Sequence, residues 1–382
     1  MKKIISISLI FSSTFFSCIF SEAQKENNNQ PATQALVDSL VAANEVPGLN
    51  FSIILSDGTQ ENYSSGYSDI EAEIKLTQDH VLFSGSIGKT YAVAILMQLF
   101  DEGKLSLGDK IFDYFPEVEW MSRIPNIKEV TIEMLLKHTT GIPRWVMKPE
   151  VWEVLHENPD KVWTYEDRFS YVFDETPVHP AGDGWGYSDT NYLLIGMLIE
   201  KLTGKDYYDV WNERVLKPTE LSNTYPSLKR DIYNLSQGYS KLPESFLIPG
   251  KVVKDGKYVF NPQMEWTGGG VASTTSDLAK WAKVYYTGEL FSDSLLAKIM
   301  SPGEAAIPLG RDTFYSMGSF IFKTDNGVAY GHSGFVPGFN SLFAYYPDSQ
   351  IAVAIQFNSD FAGSKQSLNG YLDKIVGLYL KN

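Results

Sequence analysis

Two residues three positions apart carry the sharpest chemical signal in the sequence. They are Ser86 and Lys89, in Gly85-Ser86-Ile87-Gly88-Lys89-Thr90. At a helix start, positions i and i+3 share a face, so the lysine amine comes within reach of the serine hydroxyl. Apolar surroundings would discourage the ammonium form and make the amine a better base. A helix N-terminus also offers unpaired N–H groups and a positive dipole end, which favour the oxyanion of an acyl-transfer intermediate. Gly88-Lys89-Thr90 is also the tail of a phosphate-binding P-loop, but that motif needs a glycine at position 83, where Phe83 stands. Taken alone, Ser-x-x-Lys fits an N-capping serine beside a surface lysine better than a catalytic pair.

The pattern is not alone. Tyr187-Ser188-Asp189 follows it, and then Gly331-His332-Ser333-Gly334. Further segments accompany these three: Val46-Pro47-Gly48, Gly103-Lys104-Leu105-Ser106-Leu107, Leu135 to Gly141, Gly268 to Thr274, and Pro337-Gly338-Phe339-Asn340. In this order of motifs the chain resembles the serine β-lactamase and penicillin-binding-protein superfamily over roughly residues 35–380. The nearest branch is that of the class C β-lactamases and D-alanyl-D-alanine carboxypeptidases.

The resemblance implies an α+β fold of the β-lactamase/transpeptidase type and a cofactor-free, metal-free covalent mechanism. Ser86 matches the nucleophile, and Lys89 the partner amine that accepts or relays its proton. Tyr187 matches the general base or acid, with Lys89 expected to lower the phenol's pKa. His332 matches the third-motif cation or hydrogen-bond donor on a strand edge. The backbone N–H groups of Ser86 and Phe335 would form the oxyanion hole, and Ser333 and Gly334 would lie along the substrate. One position departs from the pattern: Asp189 stands where the family's motif has asparagine. A carboxylate cannot donate to a substrate carbonyl. It could instead pair with Lys89, keep it protonated and shift the base role to Tyr187.

The substrate so implied is a small peptide, ester or β-lactam, with a D-alanyl-D-alanine peptide first. An esterase or β-lactamase on the same scaffold is the alternative among enzymes. Outside enzymes, the alternative is a penicillin-binding sensor domain without turnover.

Composition sets the frame around these residues. The chain has 382 residues, 43% of them hydrophobic and 14% aromatic, enough for a large core. Its 46 acidic against 32 basic residues give a net charge of −14, which argues against nucleic acid as a partner. Met1-Lys2-Lys3, an apolar stretch to Phe20 and Ser21-Glu22-Ala23 read as a secretory signal peptide over residues 1–23, so export to the periplasm or medium is expected. Lipoprotein processing at Cys18, the single cysteine, is the less favoured variant. No other run reaches the ~18 apolar residues of a membrane span.

The elements that must position the site follow from the patterning. Residues 24–34 read as a flexible leader and 35–382 as one two-lobed domain. Its sheet lobe is assigned to 35–80 and 268–382, and its mostly helical insertion to 81–267. A strand is expected at 49–55, pairing back through 60–67. A helix apolar on nearly all sides is expected at 86–100. Further helices are expected at 132–137, 191–202, 276–286 and 366–380, and strands at 315–322, 327–331, 341–346 and 351–357. Together these predict an antiparallel sheet built from both chain ends and flanked by helices.

The remaining candidates have plainer readings. The five histidines make no metal-spaced pair. His138 reads as a loop hydrogen-bonder, and Gly268-Gly269-Gly270 as close backbone packing beside the site. Trp145, Trp185 and Trp266 read as core before cleft lining. No Gly-x-Ser-x-Gly elbow occurs.

Overall fold

The structure is a computed structural model and describes residues 29–248, 250–301, 306–360 and 368–380. The expected signal peptide and Cys18 lie outside the described residues. Six helices matter for the site and its support: α1 Gln30–Asn44, α2 Gly88–Asp101, α3 Ile132–Lys137, α4 Asp189–Thr203, α5 Thr275–Thr287 and α6 Leu368–Leu380. The expected leader is helical from Gln30 onward. Pro31 in the first turn pre-sets a helical φ, and Thr33, Val37, Leu40 and Asn44 are buried along one face, so packing decides what a polar composition obscures.

Among the described residues, nine strands form one antiparallel sheet. Three come from the N-terminal part: β1 Gly48–Ile54, β2 Gln60–Asp69 and β3 Ile74–Lys75. Six come from the C-terminal part: β4 Ile307–Pro308, β5 Thr313–Tyr315, β6 Phe320–Thr324, β7 Gly327–Val336, β8 Phe339–Tyr346 and β9 Ile351–Phe357. The order is β3-β2-β1-β9-β8-β7-β6-β5-β4. The chain ends meet where β1 pairs β9, from Leu49↔Phe357 to Ile54↔Ala352. Both of these strands are buried along their whole length. Leu49, Phe51 and Ile53 share one core with Val37 of α1 and Ile375 of α6. Ile54, Ala352 and Ala354 share the other with Trp281 and Tyr285 of α5. A sheet covered on both faces needs apolar residues on both, which is why β9 reads Ile-Ala-Val-Ala-Ile without alternation.

Two boundaries differ from the expectations. The stretch expected as one strand at 315–322 is two, because Gly318 (φ +69°) turns the chain and Ser316 N–H donates to Ser319 C=O at 2.8 Å. The strand expected to end at Gly331 runs on to Val336, carrying the His332 motif inside the sheet. Glycine and histidine there weaken the sequence signal, while the pairing of His332 with Phe343 through Val336 with Phe339 holds the extension.

The helix α2 lies at the centre of the molecule. Every residue from Gly88 to Met97 is buried, as its all-round apolar pattern requires. A second, three-stranded sheet ties the approach to α2 into the core. Leu82–Phe83 pairs with Val271–Ser273, which also pairs with Thr224–Pro226. The Ser84 N–H donates to the Val271 carbonyl at 2.8 Å, fixing the chain immediately before Ser86.

Candidate active site

Ser86 lies in a single 3-10 turn, Gly85–Ile87, that leads into α2. In such a turn side chains three apart nearly eclipse. Lys89, in the first turn of α2, accordingly points its Nζ at Ser86 Oγ, 3.1 Å away. Two close approaches hold the turn against the sheet. Gly85 has φ +53°, and a Cβ there would stand 2.5 Å from the Phe335 nitrogen. A Cβ on Gly334 would stand 1.8 Å from the Ser84 carbonyl oxygen. Only glycine permits either contact. Ser341 Oγ also donates to that Ser84 carbonyl, at 2.8 Å. The backbone of Phe335 is therefore set against the turn that carries Ser86, with its own ring half exposed to the cleft.

Tyr187 comes from the loop before α4. His138 fixes that loop. It caps α3 in a left-handed conformation (φ +58°) and is fully buried. Its Nδ1 accepts from the Ser188 N–H at 3.2 Å and from Asn191 Nδ2 at 3.1 Å. Its ring lies 4.2 Å from that of Tyr187. The loop-hydrogen-bonder reading of His138 thus has a specific form: it backs the phenol ring. The Tyr187 hydroxyl is buried and is directed at Ser86 and Lys89. The ring centroid is 5.0 Å from Lys89 Nζ.

Asp189, the first residue of α4, organises the charges. Its Oδ1 takes Lys89 Nζ at 2.7 Å. Its Oδ2 takes Arg144 Nη2 at 2.8 Å and Nε at 3.1 Å. Lys89 also donates to the Gly268 carbonyl. Burial alone would raise the Asp189 carboxyl, but Lys89 and Arg144 hold it well below the usual carboxylate range. Burial alone would lower the Lys89 amine. The charge of Asp189, with Tyr187 and Glu265 near it, more than reverses this, and the net direction is up. The expectation that burial alone leaves a neutral amine is therefore corrected, and the alternative expected from Asp189 is the one seen: it pairs with Lys89, and the resting lysine is an ammonium. The expected lowering of the Tyr187 phenol is corrected too. Burial raises it, Lys89 opposes, Asp189 adds to the rise, and the net direction is up.

His332 lies in β7 beside the site, its ring centroid 6.4 Å from that of Tyr187. The pairing of β6 with β7 stops at Phe320↔Gly331, so from His332 on that edge of β7 has no strand neighbour in β6. The strand-edge expectation fits. The cation-or-donor expectation does not. Burial and the Lys89 charge push the imidazole down to about 3. Its Nδ1 lies 2.6 Å from the Ser333 carbonyl, which can only accept, so Nδ1 carries the proton. Nε2, 3.4 Å from the Tyr315 hydroxyl, is left as an acceptor.

These groups line a cleft of about 440 Å³. Its polar wall includes Ser86, Arg144, Tyr187, Asp189, Glu265 and His332. Ser333, Gly334 and Phe335 edge it, and Val146, Trp152, Phe246 and Phe320 give it apolar ground. Of the tryptophans weighed from the sequence, Trp145 and Trp266 are buried in the core. Trp185 packs beside Tyr187 and Tyr315. Gly269 abuts the serine turn, where a Cβ would lie 2.9 Å from the Gly85 carbonyl carbon. Sequence reasoning missed Arg144 and Glu265. Neither belongs to a motif. The one available signal was the Asp189 substitution itself, since a buried carboxylate with one lysine partner leaves an oxygen for a second cation.

The family model described as Beta-lactamase matches residues 33–377. Among curated proteins, penicillin-binding protein 4* of Bacillus subtilis is 23% identical over 346 residues, covering 88% of this chain and 73% of that protein. Penicillin-binding protein 4 of Amycolatopsis lactamdurans is 25% identical over 342 residues, covering 87% and 86%. Among solved structures, a D-stereospecific amidohydrolase from Streptomyces sp. superposes with a TM-score of 0.75 at 26% identity, covering 87% of this chain and 95% of that one. D-amino acid amidase from Ochrobactrum anthropi SV3 gives 0.77 at 23%, covering 92% and 98%. The fold is that of the β-lactamase/transpeptidase proteins.

Proposed function

The chain belongs to the β-lactamase family of serine hydrolases, and from that premise we propose that it cleaves small amide or peptide substrates through an acyl-enzyme on Ser86. D-alanyl-D-alanine peptides and amino acid amides are the substrate classes we put first. The observation that carries this reading is the meeting of Ser86 and Tyr187 at one cleft, with the buried Lys89 Nζ 3.1 Å behind Ser86 Oγ. The N-terminal sequence pattern supports export as the setting.

In the reactive form the Lys89–Tyr187 pair holds one proton fewer than at rest. Tyr187, as phenolate beside the Lys89 ammonium, takes the Ser86 proton while Oγ attacks the substrate carbonyl. The amides of Ser86 and Phe335 stabilise the oxyanion. The phenol returns its proton to the leaving amine as the C–N bond breaks, leaving an ester on Ser86. Water, losing a proton to the phenolate, attacks that ester. The phenol then protonates Ser86 Oγ, and the acid departs. Asp189 and Arg144 are positioning residues: they hold Lys89 charged and in place. His332 offers an acceptor and a shaped wall, not a cation. A substrate carboxylate would therefore look to Arg144, whose side chain is 39% exposed.

The test is a panel of D-alanyl-D-alanine peptides, amino acid amides, short-chain esters and nitrocefin, scored against Ser86→Ala. Amide or peptide turnover lost in the variant supports the proposal. Ester turnover alone, or a stable penicillin adduct without turnover, replaces it with the esterase or sensor reading.

A further inference from the structure

One carboxyl group in the cleft neither touches the substrate nor moves a proton in the chemistry above. Glu265 follows the short turn Pro262–Met264, and its side chain lines the cleft with Ser86, Arg144 and Tyr187. Both oxygens of Asp189 are committed, one to Lys89 and one to Arg144. Glu265 is different: among the described residues its carboxyl makes no hydrogen bond and no ion pair. A carboxylate left open in a cleft walled by Trp152, Phe246 and Phe320 is a costly feature unless a ligand completes it.

Its placement says which ligand. Glu265 Oε2 lies 3.2 Å from where a Cβ of Gly269 would stand, and that point is 2.9 Å from the carbonyl carbon of Gly85. It lies 3.7 Å from where a Cβ of Gly268 would stand. The glycines keep open the space between this carboxyl and the serine turn. Resting on the acyl-enzyme reading above, we propose that Glu265 binds the free α-ammonium of the substrate, so that the enzyme acts on amino acid amides and dipeptides with an unblocked amino terminus. An α-ammonium is two bonds from the carbonyl carbon that Ser86 attacks, so its partner must sit close to the Ser86 turn, as Glu265 does. The charges agree. Lys89 and Arg144 are both held by Asp189, so an incoming ammonium can pair with Glu265 without displacing an existing ion pair. Burial and the Asp189 charge raise the Glu265 carboxyl to about 7, while Lys89, Arg144 and Arg168 restrain it. A bound cation would pull it down and hold it ionised.

The experiment compares alanine p-nitroanilide, in both enantiomers, with its N-acetyl form, in wild type and in Glu265→Gln. Fluorophosphonate labelling of Ser86 is measured alongside. Wild type is expected to favour the free amine, and the ratio of the two kcat/KM values is expected to fall at least about tenfold in Glu265→Gln. A wild-type preference for the N-acetyl substrate, or a ratio within about twofold of wild type in the variant, overturns the proposal. If the variant does not fold, wild type alone decides the matter: alaninamide should protect Ser86 from labelling at lower concentration than N-acetylalaninamide, and equal protection overturns the proposal. Absence of Ser86 labelling in wild type would sink the acyl-enzyme reading instead, so the two failures are distinguishable.

Discussion

Lys89 Nζ stands closer to Asp189 Oδ1, at 2.7 Å, than to Ser86 Oγ, at 3.1 Å. An amine held by a buried carboxylate is an ammonium, and it serves the serine as a donor. In the proposed mechanism the base is then Tyr187, whose phenol burial holds up. Neither group is a base at rest near neutral pH, so activity has to be gained by removing one proton from the pair.

The first expectation is a rate that rises with pH. Because the two groups share a site, the rise reports an apparent pKa of the pair. Asp189→Asn removes the charge that raises both Lys89 and Tyr187. The rising limb of kcat/KM should therefore move to lower pH, by about one to three units, with a higher rate at neutral pH on amide substrates. A pH–rate profile of variant and wild type checks the direction. A shift to higher pH would show that Asp189 serves the reaction in some other way.

Arg144→Gln should move the limb the other way. Removing a cation makes the remaining ammonium easier to keep, so Lys89 holds its proton to higher pH. The shift should be smaller than that of Asp189→Asn, because Arg144 is 39% exposed and screened by solvent. The same profile measures it.

Legibility followed the physics of each element. Ser86 and Lys89 were legible as a pair from their spacing, while Tyr187 and His332 were legible only through the resemblance carried by the order of the motifs. The helix α2 and strand β9 were readable because burial on all sides leaves long apolar runs, and β1 and β8 because their apolar residues still dominate despite Asn50, Ser52, Asn340 and Ser341. What escaped depended on partners far along the chain. Arg144 meets Asp189 across 45 residues and Glu265 meets the cleft from a short turn, and no local pattern marks either. The charged state of Lys89 was legible from the carboxylate at 189, whereas the raised Tyr187 phenol and the neutral His332 escaped, since they rest on burial and on distances between segments. Gln30 to Gln34 looked like a leader because only its buried face, seen in three dimensions, shows the helix.

His332 should stay neutral with its proton on Nδ1. Burial and Lys89 put its pKa at about 3, so the imidazole resonances should not titrate between pH 8 and 5. Nitrogen-15 NMR of labelled histidine, assigned by the loss of one signal in His332→Gln, reads both the charge and the tautomer. A midpoint near the ordinary value of ~6.5 would mean that the imidazole is open to water.

Gly334→Ala should damage the site without touching a reactive atom. The new Cβ would meet the Ser84 carbonyl oxygen at 1.8 Å, a backbone contact that no rotamer relieves. The turn carrying Ser86 must move away from β7. A loss of roughly 1–3 kcal/mol in stability is expected, with a slower Ser86 labelling rate. Thermal unfolding and fluorophosphonate kinetics measure these separately, and wild-type values in both would contradict the close approach.

The most direct measurement is intact mass followed by peptide mapping after fluorophosphonate treatment. One adduct per chain is expected, on the peptide containing Ser86 and absent from Ser86→Ala. An adduct that maps elsewhere, or that persists in the variant, would contradict the account at its centre.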